Sequence, residues 1–475
     1  MRLSDDVLLI IFRYYLDASP RLWPRLVHIC RKWRHIVFTS QQVLHLRLFC
    51  SSGTPVSTTL DCWPPIPIVT EYGGSLALDP PSPEDEANII AALKRSDRVN
   101  SISLTITTSL LDKLYEVHRP FLELDDLILL SRDLARDNVP LTLPSSFRWG
   151  PRLRRLHLTR VAFPAHPRLL YSSRDLVDVK LHEALDFLNP PIEELADALS
   201  WMPQLRSLSL LFPSTDHFPP SPWPDRRVVL PALTRLKFQG PVKYLDRLIL
   251  RVNAPRLEVI QVTVYDQFLN NLSILGKFVD QIEQHKSHRQ ARILSSERAI
   301  SLSLTHPQAA TCFKFQILTV LLSEQLYAMS NILPNFSAFL LHVEDLHISA
   351  TRPSTQKNGL CSARWPEILD SFIGVKWLHL DVDDSTNVVR ALQGMSWRSN
   401  TCVLPALYKL YLPQPGSRHA RVSEGMVSFM TSRWHSGYPI AVEYERRRCI
   451  SELHGGGTSL CTEPNNLVTF LEWDL

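Results

Sequence analysis

Pro151-Arg-Leu-Arg-Arg-Leu-His-Leu158 decides how this chain is read. An apolar residue, two variable ones, an apolar residue, one variable and an apolar residue set Leu156 and Leu158 on one face of a short strand. Arg155 and His157 then fall on the other, because successive strand side chains point to opposite faces. The same phrase recurs at Val99/Ile102/Leu104, Leu124/Leu127/Leu129, Leu176/Val179/Leu181, Leu205/Leu208/Leu210, Leu233/Leu236/Phe238 and Leu257/Ile260/Val262. With wider gaps it returns at Ala299/Leu302/Leu304, Val343/Leu346/Ile348, Val375/Leu378/Leu380 and Leu407/Leu410/Leu412. Up to Leu257 the copies follow at roughly 20 to 30 residues, room for one strand and one return segment. Several enter through proline, as in Pro151-Arg-Leu, Pro203-Gln-Leu, Pro231-Ala-Leu, Pro255-Arg-Leu and Pro405-Ala-Leu, and proline ends the element before it.

Between strands lie helical patterns, such as Pro191 to Leu199 with Ile192, Leu195 and Leu199 on one face. Glu367 to Ile373, Asn387 to Gln393 and Glu424 to Met430 read alike. One strand and one helix cannot bury an apolar face alone, so such units are expected to stack. The triplets resemble those of leucine-rich repeats. That family usually carries Asn or Cys three residues after the triplet, where this chain has Val161, Pro213 and Pro241. The fold class implied is α/β, an irregular leucine-rich-repeat-like α/β solenoid over 43–475. An ordinary α/β sheet with leucine-rich strands is the alternative.

Ahead of this region, residues 1–42 read as a helical element. Ser4 is placed to cap a helix whose first turn holds Asp5 and Asp6. Val7, Ile11 and Tyr15 form one stripe of it and Leu8, Phe12 and Leu16 another, so it is apolar nearly all round. A second helix is expected from Pro24, with Leu26, Cys30, Trp33 and Val37 as its stripe and Arg31, Lys32, Arg34 and His35 toward its C-terminal end. A unit this small cannot hide so much apolar surface, and one face must meet the rest of the chain or another protein.

The pattern resembles the F-box, a short helical motif of the form Leu-Pro-x-x-(apolar run)-Phe-x-x-Leu, a spacer, then apolar-Cys-Arg/Lys-x-Trp. The matching residues are Leu3, Val7, Leu8, Ile11, Phe12 and Leu16, then Val27, Cys30, Arg31, Lys32 and Trp33, with Ser4 where the family usually has proline. The resemblance covers under a tenth of the chain. It implies a substrate-recognition subunit of an SCF-type (cullin-RING) ubiquitin ligase. The docking residues would be Leu3, Val7, Leu8, Ile11, Phe12, Leu16, Val27, Cys30 and Trp33, meeting the adaptor protein and through it a cullin scaffold, while the repeats hold a protein substrate.

Composition agrees with a globular protein: 475 residues, 45% hydrophobic, with a net charge of only +4. Nothing in that balance demands nucleic acid or a membrane, and no run is long enough to span a bilayer. Eight cysteines without a Cys-x-x-Cys pair, behind an acidic-capped first helix instead of a secretory leader, predict reduced thiols in the cytoplasm or nucleus. With 35 prolines and 15 glycines, short punctuated elements are expected in place of Gly-rich ligand loops. A Ser/Thr/Pro-rich connection follows at about 50–83, an irregular insertion at about 263–298 and a cap at about 438–475, whose Pro439 to Tyr444 reads as a strand shielding the last edge.

Catalytic motifs are missing: the chain holds no Gly-x-Ser-x-Gly, P-loop or Cys-His arrangement, and no cofactor or metal is assigned. His285 and His288 share a metal-compatible spacing, but Lys286 and Arg289 beside them favour a solvated helix surface. What remains is the strand face turned away from the helices. On it fall Arg155 and His157, Asp178 and Lys180, Ser207 and Ser209, Arg235 and Lys237, Asp345 and His347, Trp377 and His379, and Lys409 and Tyr411. Aromatic side chains among cations suit protein binding, so Arg155, His157, Arg235, Lys237, Trp377, His379, Lys409 and Tyr411 are the expected substrate-binding residues.

Overall fold

The structure, a computed structural model, describes residues 3–51, 55–72, 81–115, 117, 119–131, 141–143, 147–162, 168–171, 173–183, 192–212, 227–265, 272–282, 285, 288–296, 298–306, 308, 311–319, 322–350, 364–380, 388, 392, 404–413 and 420–445. The chain forms two compact units, one of Met1–Thr234 with Leu250–Ala254, the other of Arg235–Ile249 with Pro255–Leu475.

The first unit opens with helix α1 (Asp5–Ala18). Ser4 caps it as expected, its Oγ accepting from the Val7 N–H at 3.4 Å. The second expected helix is broken in two, α2 (Trp23–Val27) and α3 (Arg31–Thr39). Cys30 is extended between them and its Sγ accepts from the Trp33 N–H at 3.5 Å, so it caps α3 and does not sit in a continuous stripe. The cations Arg31, Lys32, Arg34 and His35 therefore start a helix, where its dipole disfavours them. Two are compensated: Lys32 Nζ lies 2.7 Å from Asp5 and donates to the Leu3 carbonyl at 3.2 Å, and Arg34 Nε donates to the Val27 carbonyl at 3.0 Å.

Seven parallel strands follow: β1 (Leu48–Cys50), β2 (Ile68–Tyr72), β3 (Val99–Ile106), β4 (Asp126–Ser131), β5 (Arg155–Thr159), β6 (Asp178–His182) and β7 (Ser207–Leu211), each paired with the next. Val43 to Phe49 alternates apolar and polar residues and predicts a longer strand than β1. Leu44 and Leu46 are buried, but the chain turns there, with His45 at φ 47° and the Leu46 N–H donating to the Gln41 carbonyl. Register aligns the triplets: Cys50, Thr70, Ile102, Leu127, Leu156, Val179 and Leu208 form one row across the sheet, none more than 1% exposed. Before β3, Ser82, Pro83 and the acidic first turn start the helix Pro83–Leu93, with a reciprocal cap between Ser82 and Asp85.

The second unit contains β8 (Arg235–Gly240), β9 (Val259–Val264), β10 (Gln290–Ser295), β11 (Ala299–Thr305), β12 (Cys312–Leu318), β13 (Asp345–Ala350), β14 (Trp377–Leu380), β15 (Lys409–Pro413) and β16 (Ala441–Glu445). Their spatial order is β8-β9-β12-β11-β10-β13-β14-β15-β16. Here the Ala299 copy of the phrase departs from expectation: β11 runs antiparallel to both β10 and β12. The connections decide this. A parallel crossover needs a dozen or more residues, and neither 296–298 nor 306–311 provides them. The unforeseen strand β12 continues the buried rows, Phe313 beside Ile260 and Phe315 beside Val262, and both rings pack on Phe336. The expected tail strand is β16, parallel to β15. The basic run Arg446 to Arg448, Gly455 to Gly457 and the apolar end lie outside the described residues, as does most of the helix expected at Asn387 to Gln393.

His285 and His288 are buried, 1% and 0% exposed, which overturns the solvated helix surface. Their rings lie 5.0 Å apart, and His288 Nδ1 meets the His285 carbonyl at 2.7 Å. The cationic neighbours in sequence suggested exposure; the fold buries both rings instead. Burial, reinforced by His288, pushes the His285 pKa down to about 4. Among the described residues no helix is long and apolar enough to cross a membrane.

Two outcomes follow from this packing. An alanine Cβ at Gly276 would overlap the Asn335 backbone carbonyl oxygen, so Gly276→Ala should cost about 1–3 kcal/mol in urea unfolding. Because His285 stays neutral when folded and takes a proton near 6.5 when unfolded, its contribution is intact above pH 6.5 and lost as pH falls toward 4, by up to about 3 kcal/mol. Urea midpoints at pH 7.5, 6 and 5 should therefore fall more steeply for the parent chain than for His285→Phe; equal slopes would contradict the burial.

Candidate functional site

On α1, Leu8, Phe12 and Leu16 are buried, and the Phe12 ring meets Trp33 of α3 at 4.7 Å. The opposite stripe has the same helical spacing but faces out: Leu3, Val7, Ile10, Ile11, Tyr14 and Tyr15 are all exposed, Tyr14 by 75%. Ile29, in the turn before α3, is exposed as well. An apolar stripe this long on one exposed helix is the kind of surface that a protein partner can cover.

The helices are tied to the sheet from the other side. Trp23 Nε1 donates to the Arg47 carbonyl at 2.7 Å, and the Trp23 ring meets Trp63 at 4.8 Å and Phe38 at 6.3 Å. Arg21 pairs with Glu71 of β2 and lies over the Phe49 ring at 5.3 Å. The residues expected to dock an adaptor thus divide. Leu3, Val7, Ile11 and Cys30 are exposed and Trp33 is half-buried, whereas Leu8, Phe12, Leu16 and Val27 hold the helices together. Sequence reasoning did not single out Ile10, Tyr14 and Ile29; their helical spacing from Val7 and Ile11 was the available signal for the first two.

The strand faces carry the residues expected for substrate. In the first unit Arg155 clamps both carboxylate oxygens of Asp126, and His157 Nε2 lies 2.8 Å from Asp178 Oδ2. Burial alone would raise the Asp178 carboxyl; its hydrogen bonds with His157 and Ser207 hold it below the usual range. These side chains are engaged with their strand neighbours.

In the second unit, Arg235 and Lys237 lie on β8, and Lys237 shares a register row with Gln261 and Lys314. Trp377, His379, Lys409 and Tyr411 come together on β14 and β15. His347, His379 and Tyr411 stack face to face, centroids 4.0 and 4.1 Å apart. Trp377 Nε1 donates to Tyr408 Oη at 2.7 Å, and Lys409 Nζ lies 2.7 Å from Glu443 and 4.9 Å above the Tyr411 ring. Burial pushes the Asp345 carboxyl up, and the imidazoles of His347 and His379 outweigh it and hold it well below the usual carboxylate range. Tyr408 and Glu443 belong to this patch although no strand-face reading named them.

No family model matches the chain, and no curated protein matches it. Among solved structures, it is similar to the leucine-rich repeat-containing protein LegL7 from Legionella pneumophila at 11% identity and a TM-score of 0.25, over 72% of this chain and 92% of that one.

The two sides of α1 should respond differently to truncation. Phe12→Ala removes a ring that is 1% exposed and should cost about 3–5 kcal/mol. Val7→Ala and Tyr14→Ala, on the exposed side, should stay within about 0.5 kcal/mol. Chemical unfolding monitored by Trp fluorescence makes the comparison.

Proposed function

We propose that this chain is a substrate-recognition subunit of an SCF-type cullin-RING ubiquitin ligase, its N-terminal helices an F-box and its strands an irregular leucine-rich-repeat-like solenoid. The exposed stripe of Leu3, Val7, Ile10, Ile11, Tyr14 and Tyr15 carries this reading, because exposed apolar surface of that extent is suited to a protein partner. The order of residues from Leu3 to Trp33 supports the adaptor of such ligases as that partner. The strand faces, with Trp377 and Tyr411 half-buried among polar groups, then hold a protein substrate. The chain works by raising effective concentration and orienting the substrate, and contributes no reacting group. A reducing compartment, cytoplasm or nucleus, goes with this role, and the free thiols of Cys30, Cys50, Cys62 and Cys312 suit it.

A second reading is favoured by the Trp23, Phe38 and Trp63 cluster, which joins the helices to the first strands. In it the helices cap a scaffold that binds a protein partner without any ligase.

A pull-down with purified adaptor separates the two. The full chain should retain adaptor, and Val7→Asp combined with Ile11→Asp should abolish retention while leaving the unfolding free energy within about 0.5 kcal/mol per substitution, since both positions are exposed. Failure of the parent chain to bind, or binding undiminished in the double variant, would refute the ligase reading and leave the scaffold.

A further inference from the structure

Asp345, His347 and His379 bring three potential ligand atoms within 4.8 Å of one another on the strand face of the second unit. The ladder does this. β13 supplies Asp345 and His347 from alternate positions, which share a face, and the register of β14 sets His379 beside His347. Thirty-odd residues of sequence separate the two histidines, so no local spacing motif marks them.

The nitrogen atoms converge in an uncommon way. Both Nε2 atoms lie 3.2 Å from the same carboxylate oxygen, Asp345 Oδ1. Here Oδ1 is buried without an aligned hydrogen bond, while Oδ2 accepts from Gln290 Nε2 at 3.4 Å. A carboxylate oxygen and two imidazole nitrogens gathered this closely are an arrangement that a cation can share.

The dimensions suit zinc. Tetrahedral zinc with bonds of about 2.0–2.2 Å to nitrogen and oxygen keeps its ligand atoms about 3.3–3.5 Å apart. The observed 3.2 Å separations are close to that. The rings stack nearly parallel, at 4°, so they must tilt toward a shared ion. His347, with 45% of its side chain exposed, has room to tilt; His379 is held from its other side by Tyr411. Two imidazole nitrogens and one carboxylate oxygen are a donor set that zinc accepts, leaving a fourth position open.

We propose that Asp345, His347 and His379 form a zinc site with its fourth position toward solvent, where water or a donor side chain of a bound protein completes the coordination. Gln290 orients the carboxylate from outside the ligand set. The site is independent of what the N-terminal helices dock.

The test is titration of the metal-stripped full chain with zinc in competition with a chromophoric chelator, beside His347→Ala and His379→Ala, each checked by thermal unfolding. Binding of one zinc per chain is expected, weakened more than about 100-fold in His347→Ala, because loss of a ligand should exceed the cost of losing a group that only orients one. Cobalt in place of zinc should give visible absorption of tetrahedral nitrogen and oxygen coordination that disappears in the same variant. Absence of zinc uptake by the parent chain overturns the proposal. So does undiminished uptake by His347→Ala, which would place the metal elsewhere. Should His379→Ala fail to fold, the half-exposed His347 decides the question alone.

Discussion

In each unit the structure depends on rows of apolar side chains held in register across neighbouring strands. A strand such as β5 presents Leu156 and Leu158 to one side and cannot cover them itself; the flanking strands and return segments must. Wherever the chain departs from simple parallel succession, these rows are still filled. The antiparallel excursion of β10, β11 and β12 places Phe313 and Phe315 in the rows begun by Leu236 and Phe238, and Phe336 packs against both rings. The direction of a strand is thus negotiable, set by how long its connection is, while the filling of the row is not.

The same alternation that buries one side of each strand exposes the other, and the chain uses that side unevenly. Much of the charge in the first unit is engaged between adjacent strands, Arg155 with Asp126 and His157 with Asp178. These pairs are part-buried, so each partner offsets the desolvation of the other and together they organise the face. In the second unit the rings of His347, His379 and Tyr411 stack along a row with Trp377 and Tyr408 beside it, giving a patch richer in aromatic surface. At the N-terminus the pattern reverses. Polar side chains are few on the outer stripe of α1, and the apolar residues there stay largely open to solvent.

Much of this was legible in the sequence because a strand triplet is a local pattern whose consequence, alternation, is also local. The cap at Ser4 was readable for the same reason. What escaped depends on distant neighbours or on loop length. His285 and His288 look solvated beside Lys286 and Arg289, and only the fold shows their burial. Cys30 fits a helical stripe, yet its extended backbone makes it a cap. On α1 both stripes are apolar, so the sequence could not say that Phe12 faces Trp33 while Tyr14 faces water. The convergence of Asp345, His347 and His379 is a product of register, which a single sequence does not display.

The proposal that the outer stripe of α1 docks a ligase adaptor rests on the exposure of Val7, Ile10, Ile11, Tyr14 and Tyr15. Hydrogen–deuterium exchange of the full chain, with and without saturating adaptor, tests it most directly. Slowed exchange over residues 3–40, with residues 345–411 unchanged, is the predicted footprint. A complex that protects the strand faces and leaves residues 3–40 exchanging as before would contradict it.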